Sequence, residues 1–401
     1  MMEIAEKYKQ TEVGLIPSDW DVKTLGDVGE VKMCRRIFNN ETSPNGSIPF
    51  FKIGTFGKEP DAYISKEQYD EYRKRFSFPR KGDILISAAG TIGRTIIYNG
   101  EDAYFQDSNI VWIENNFDNV SNEFLYYIYQ VANYNTEGGT IQRLYNSILK
   151  ATKFKCPTKA EQTAIATALS DADDLISSLS TLIAKKRMIK QGAMQKLLQP
   201  KEGWEVKPFK DLCWFQEGPG LRNWQFTNRG IKVINVTNLE NGYLNLDRTD
   251  RHISLEEFHK MYEHFEIDEN DIVVASSGNS YGKVAVVRKQ DLPLVMNTSV
   301  IRFKPLKELD YDFLLTYLKS NQFKNQIDLL ITGGAQPNFG PVHLNKISIN
   351  LPPTKEEQTR IATILLDMEN EIKALEAKLE KYRKVKLGMM QNLLTGRIRL
   401  I

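Results

Sequence analysis

Cysteine is scarce in this chain: Cys34, Cys156 and Cys213 are the only three in 401 residues. They are odd in number and far apart, so they form neither a disulfide framework nor a zinc-ligand spacing, and a reducing cytoplasm is expected. Histidine is nearly as rare. His252, His259, His264 and His343 include no HExxH pair, so no metal site is expected. Long apolar runs are missing too. No stretch reaches the roughly 18 residues of a membrane span, and the start MMEIAEKYKQ has no signal-like apolar core, so no membrane association is expected. An excess of one charge is also lacking: 53 Lys and Arg stand against 51 Asp and Glu. A histone-like polycation is excluded, and any nucleic-acid surface must be patterned locally.

Cofactor signatures are absent as well. The nearest phosphate loop, GNSYGKV from Gly278, has one residue too few between its glycines and Val284 where a Walker loop needs Ser or Thr. NLPP at Asn350 is like the Asn-Pro-Pro turn of adenine methyltransferases, but Leu351 interrupts it and Thr354 replaces the aromatic. No Gly-rich cofactor loop follows a strand elsewhere. The expectation is a chain without catalytic residues that binds no cofactor itself.

What the chain does contain is an internal repeat. Trp20 corresponds to Trp204 at an offset of 184, and Asp83 of KGDILIS to Asp271 of ENDIVVA at 188. CPTKAEQTAIATAL matches PPTKEEQTRIATIL at 196, which still holds at Leu197-Leu198 against Leu393-Leu394. Each half reads as short β-branched strands bounded by Gly, Asn or Asp, such as DILISAAG, NIVWIE, DIVVASSG and SVIRF, followed by one long helix. Shorter helices are expected from Lys66 to Arg75, Glu123 to Asn133, Leu255 to His264 and Asp312 to Asn325. The class is α+β. The expected divisions are a first mixed domain at 1–156, a first long helix at 157–199, a second domain at 200–352, and a second helix with its tail at 353–401.

The long helices begin after Pro157 and Pro353, with Thr158 and Thr354 at capping positions and Glu161 and Glu357 at capping-box spacing. In the second, Ile361, Leu365, Met368, Ile372, Leu375, Leu379, Tyr382, Met389 and Leu393 follow heptad steps, interrupted by Lys386. In the first, Ile165, Leu169, Ala172, Ile176, Leu179, Ile183, Ala193 and Leu197 stand in equivalent places, interrupted by Lys186 and Lys190. One amphipathic rod of roughly 60 Å would leave its seam in water. Each helix is therefore expected to pair with the other as a coiled coil, the pairing residues being Ile165, Leu169, Ile176 and Leu179 in the first and Ile361, Leu365, Met368, Ile372, Leu375 and Leu379 in the second.

Both β regions carry loops rich in Arg, Lys, Asn, Gln, Ser and Thr with interleaved aromatics, the side chains that read phosphates and base edges. In the first half they are KMCRRIFNNET, FKIGTFGK, SAAGTIGR and GGTIQRLYNS; in the second, EGPGLRNWQFTNRG, NVTNL, SSGNSYGK and GGAQPNFG. The candidate DNA contacts are Arg35, Arg36, Lys52, Thr91, Arg94, Gln142 and Arg143 in the first half. In the second they are Arg222, Asn223, Trp224, Asn235, Asn238, Asn279, Tyr281, Lys283, Gln336 and Asn338. The helical copies nearly match, while the loop copies share positions but few residues. If the loops read DNA, the two copies read different sequences.

The opening TEVGLIPSDWDVKTLGDV, the GDILIS and NDIVVASS strands, the two TKxEQT helix starts and the terminal MMQNLLTGRIRL resemble the specificity subunits of type I restriction-modification enzymes, over essentially the whole chain. The resemblance implies two target-recognition domains, each reading one half of a split, asymmetric double-stranded DNA target. It implies antiparallel helices that space the domains and dock two methyltransferase subunits, with restriction and translocation subunits joining the assembly. S-adenosylmethionine, ATP and magnesium would then sit on those partners. Two other readings are a degenerate stand-alone methyltransferase or nuclease and a coiled-coil scaffold without a DNA role. Binding of S-adenosylmethionine by the isolated chain, and of random duplexes, separates them.

Overall fold

The computed structural model describes residues 7–134, 143–331 and 337–400, apart from the side chain of Asn279. The chain forms two compact units, Met1–Leu179 with Lys378–Ile401, and Ser180–Ala377. It passes between them at Leu179–Ser180 and Ala377–Lys378, both inside the long helices Lys159–Leu197 and Lys355–Leu393.

Each unit is built around the same four-stranded antiparallel sheet. In the first unit the order is Gly29–Lys32, Ile110–Asn115, Ile84–Ser87, Thr95–Ile97; in the second it is Cys213–Glu217, Val300–Pro305, Ile272–Ala275, Val284–Val286. A second, three-stranded sheet accompanies each. Ile48–Phe51 pairs with Tyr63–Ile64 antiparallel and with Tyr104–Phe105 parallel, and Ile231–Ile234 pairs likewise with His252–Ile253 and Leu294–Met296. Strands such as ILIS and IVVA are buried at every position, which is why they read as continuous apolar runs rather than alternating ones.

The matched Asp of the two strand motifs has one task in both units. Asp83 accepts from the Arg80 N–H at 2.7 Å, and Asp271 accepts from the Asp268 N–H at 2.9 Å, each closing the turn that starts the strand. The residue before it is left-handed, Gly82 at φ 92° and Asn270 at φ 67°, and Gly and Asn are the residues that tolerate this conformation.

Each β region is closed at its base by its own two ends. Asp21–Thr24 pairs with Lys153–Cys156, and Glu205–Pro208 pairs with Ser348–Leu351. The long helix starts just beyond each closing pair. Buried Gln162 ties it down, donating to the carbonyls of Asn119 at 2.9 Å and Pro157 at 3.0 Å while accepting from the Ser121 N–H. Gln358 does the same with Glu308, Pro352 and Asp310.

Both units contain antiparallel segments of the two long helices. In the first, Asp173 pairs with Lys386 at 2.6 Å, and Glu161, twelve residues earlier, meets Arg399, thirteen residues later. Ile165, Ala166 and Leu169 share a core with Met390, Leu393 and Leu394. In the second, Lys190 pairs with Glu369 and Lys201 with Glu357, again in opposite directions, and Leu198 shares a core with Ile361, Ala362 and Leu365. Leu179, Ile372 and Leu379 are buried, while Ile176, Met368 and Leu375 are half-buried. A fully buried Leu or Ile contributes roughly 1.5–3 kcal/mol. The lysines that interrupt the seam are ion-paired: Lys186 with Glu371, Lys190 with Glu369 and Lys386 with Asp173.

Glu369 is the hub of the second unit's seam, meeting Lys190, Lys319 and Lys373 within 3.3 Å. Burial alone would push its carboxyl up, but Lys319 and Lys190 outweigh burial and hold it at about 2. Burial in turn holds the Lys319 ammonium below its ordinary value.

Several local expectations need correction. The helix expected from Asp312 to Asn325 is two, Tyr311–Leu318 and Asn321–Leu330, because Ser320 caps the second by accepting from the Phe323 N–H. The one expected from Leu255 to His264 keeps one α turn and tightens or widens into other helical turns up to Phe265. The capping box at Thr158 is half formed. Thr158 accepts from the Glu161 N–H, but the Glu161 carboxylate is held elsewhere, by Trp20 and Arg399.

Candidate nucleic-acid interface

The strand registers place the candidate loops along one edge of each four-stranded sheet. Lys32 lies opposite Trp112, and Ser87 lies opposite Ile110. The end of the first strand, the start of the second, the end of the third and the start of the fourth therefore share that edge. In the second unit Glu217 lies opposite Ile301, Ala275 opposite Val300 and Val274 opposite Val284, giving the same arrangement.

In the first unit the loops are stitched together by a few hydrogen bonds. Arg94 donates through Nη1 to the Phe56 carbonyl at 2.9 Å, and its N–H to Ser87 Oγ at 2.9 Å, around a cleft of about 250 Å³ that also includes Thr91 and Lys58. Lys52, in the neighbouring turn, pairs with Asp61 at 2.9 Å. Arg36 is exposed and pairs with Asp107 at 2.9 Å, and the Arg35 guanidinium lies over the Phe76 ring. Exposed Arg143 joins the edge through a bridge between its backbone and Ala89, and the Leu144 N–H donates to the Ala88 carbonyl at 2.9 Å.

The second unit repeats this frame with different side chains. The bridge is Ser277 to Asn338, and the Phe339 N–H donates to the Ser276 carbonyl at 3.0 Å. Gly218 is required by a close approach: a Cβ there would lie 2.3 Å from the Asn297 carbonyl oxygen. Arg222, Asn223 and Trp224 stand exposed on the same loop, as do Lys283 and Asn338 on theirs. Tyr281 packs edge-on against Phe339 and its hydroxyl bonds Asp328 at 2.7 Å, an arrangement that leaves the ring half-buried.

Not every candidate fits a reading role. Asn238 is fully buried and spends its carboxamide within the loop, donating to the Asn245 carbonyl and accepting from the Asn235 N–H and the Thr249 hydroxyl. Asn235 accepts from the Thr237 N–H and hydroxyl, which fixes it as a turn cap. Gln142, Gln336 and the side chain of Asn279 lie outside the described residues.

One pair of loops escaped the sequence reading. Residues 106–109 and 297–299 occupy the same edge, where the Ala88 N–H donates to the Asn109 carbonyl at 2.7 Å and the Ser276 N–H to the Ser299 carbonyl at 2.8 Å. The repeat register held the signal, since QDSN and NTS precede matching strands. Glu217 opens one of the quoted loops but was not among the candidate contacts. Burial pushes its carboxyl up, and Gly340 packs against it at the edge.

Among the described residues, no nucleophile and base are assembled at this edge. All three thiols are buried, with burial pushing Cys34 up to about 12 and Cys156 to about 11. Among the described residues no cluster of His, Cys, Asp or Glu could hold a metal ion, and no helix is long and apolar enough to cross a membrane.

Comparison with known proteins agrees with the duplicated layout. The model of the type I restriction modification DNA specificity domain matches twice, at residues 17–186 and 201–381. The chain is 56% identical over 157 residues to a putative type I restriction enzyme specificity subunit of Haemophilus influenzae, a match covering 39% of this chain and 41% of that one. It is 25% identical to the MjaVIII specificity subunit of Methanocaldococcus jannaschii over 98% of this chain and 96% of the relative. The fold is similar to that of the S subunit from M. genitalium, with a TM-score of 0.59 at 17% identity over 97% and 98% of the two chains.

Proposed function

Since the chain belongs to the type I restriction-modification DNA specificity family, we propose that each of its two sheet edges reads one half of a bipartite, asymmetric DNA target. The observation that carries this reading is the contrast between frame and surface. Equivalent backbone hydrogen bonds hold equivalent loops in both units, while the exposed side chains differ, as with Arg143 against Asn338 at the bridge. Exposed Arg and Lys supply salt-dependent contacts to phosphates, and Arg and Asn can make bidentate contacts to guanine and adenine edges worth roughly 1–3 kcal/mol each. Unlike loops on a like frame read unlike half-sites.

The chain is a non-catalytic specificity subunit. In the proposed assembly it meets two methyltransferase subunits along the long helices and, through the complex, the restriction and translocation subunits. Methyl transfer from S-adenosylmethionine and magnesium- and ATP-dependent work then reside on those partners, in the cytoplasm where the DNA lies. Adenine-methylation maps of host DNA with and without this chain test the reading. The expected outcome is a single split motif that vanishes with the chain; a map unchanged by its removal would overturn the proposal.

A further inference from the structure

One turn at the recognition edge has the same construction in both units and an unusual top. In the first unit Phe38 donates its N–H to Glu41 Oε2 at 2.6 Å, and Glu41 is held in turn by Gln68 Nε2 at 2.8 Å. In the second, Arg222 donates its N–H to Gln225 Oε1 at 2.7 Å. Gln225 is only 7% exposed and is held from below by Glu257 and by the Tyr262 hydroxyl at 2.8 Å. The turn is thus fixed from beneath in both copies. Each turn presents a large aromatic ring to solvent from a different position, Phe38 as its first residue at 59% exposure and Trp224 as its third at 81%. Of the other tryptophans, Trp20 and Trp112 are buried and Trp214 is 39% exposed. A turn fixed from beneath that holds a tryptophan outward adds nothing to the core and offers the ring as a preformed contact surface.

The surroundings indicate what that partner is. Arg222 and Asn223 precede the ring, Asn228 and Arg229 follow it, and all four are exposed. The same loop packs through Gly218 and Gly220 against Asn297 and Thr298 of the reading edge. A flat apolar face among guanidinium and carboxamide groups matches a nucleobase flanked by phosphates, whereas an apolar protein surface would bury those arginines unpaired. Resting on the DNA-reading role above, we propose that Trp224 is a wedge that enters the second half-site and stacks on a base, unstacking one step. Phe38 does the same, with a smaller ring, in the first half-site. The wedge positions the DNA against the loops and favours steps that unstack easily.

The test uses the full chain assembled with its methyltransferase subunits, on target duplexes carrying 2-aminopurine at each adenine position in turn. Emission should rise at one step of the second half-site, at an adenine other than the one the methyltransferase subunits extrude, and should stay at the duplex level there with Trp224→Ala. Trp224→Ala should bind about tenfold or more weakly, while Trp224→Phe keeps most of the affinity. Phe38→Ala should silence only the first half-site. The thermal midpoint of Trp224→Ala should equal that of the wild type, because the ring is exposed. Wild-type emission and affinity in Trp224→Ala would overturn the wedge while leaving DNA reading intact. Loss of assembly with the methyltransferase subunits would overturn it in favour of a protein contact. A wild-type complex that retains no target duplex would remove the DNA-reading role itself, and the wedge with it.

Discussion

Trp20 and Trp204 stand at equivalent places in the repeat, each beside a cation and the glutamate of its own long helix, yet the two groupings differ greatly in tightness. In the first unit Trp20 is fully buried and donates Nε1–H to Glu161 at 2.8 Å. Arg399 grips Glu161 through two bonds, at 2.6 and 2.7 Å, and Asp19 through two more. The guanidinium holds Asp19 below the usual carboxylate range. In the second unit Trp204 is half-buried, Lys201 lies 5.5 Å from its ring, and the Lys201 to Glu357 pair is 3.5 Å long. A planar guanidinium can hold each of two carboxylates through paired hydrogen bonds, a fork that the single nitrogen of an ammonium does not offer. The tail TGRIRL therefore plays, in the first unit, the part that the segment after the first long helix plays in the second.

That contrast can be broken most directly at the glutamates. Glu161→Ala should destabilise the first unit by about 2–4 kcal/mol, because it leaves the buried Trp20 indole N–H without its acceptor and removes two of the four bonds of Arg399. Glu357→Ala, at a site 25% exposed, should cost about 0–1 kcal/mol. Urea unfolding of the two variants decides it, and equal losses would mean that the two groupings do the same work.

Glu369 sharpens the comparison from the other side, since the helix seam of the second unit gathers three lysines around one partly buried carboxylate. Glu369→Gln should cost about 2–3 kcal/mol, read from the same urea curves. Its folded value of about 2 lies below the ordinary 4.5, so its contribution is complete above pH 4.5 and is lost as pH falls through about 2. Across that window the wild type should lose more stability than the Gln variant. A smaller effect is expected for Arg399→Lys, about 1–2 kcal/mol, from the loss of the fork that spans Asp19 and Glu161.

Much of the architecture was legible in the sequence because the repeat could be checked against itself. Residues 66–75 form a helix as expected, and the strands around Asp83 and Asp271 lie where their apolar runs place them. Other features depend on partners distant in sequence. Nothing near Glu161 in the chain announces Arg399, and nothing near Asp21–Thr24 announces Lys153–Cys156. At the reading edge, loop positions were legible and loop roles less so. Asn238 and Asn235 have the composition of base readers, but short polar side chains serve turns equally well, and here they hydrogen-bond their own loop.

The central claim is that the two edges read independently, and a domain exchange measures it. The closing pair of Glu205–Pro208 with Ser348–Leu351 gives natural cut points, so residues 209–347 can be replaced by the equivalent segment of another specificity subunit while the base of the domain stays intact. Methylation mapping of cells carrying the exchanged chain and the same partner subunits should show a new second half-site, with the first half-site and the spacing between them unchanged. Well-separated contacts contribute roughly additively to recognition, so no compensation is expected in the first half. A map in which both half-sites changed, or in which methylation ceased although the complex still assembled, would contradict the account.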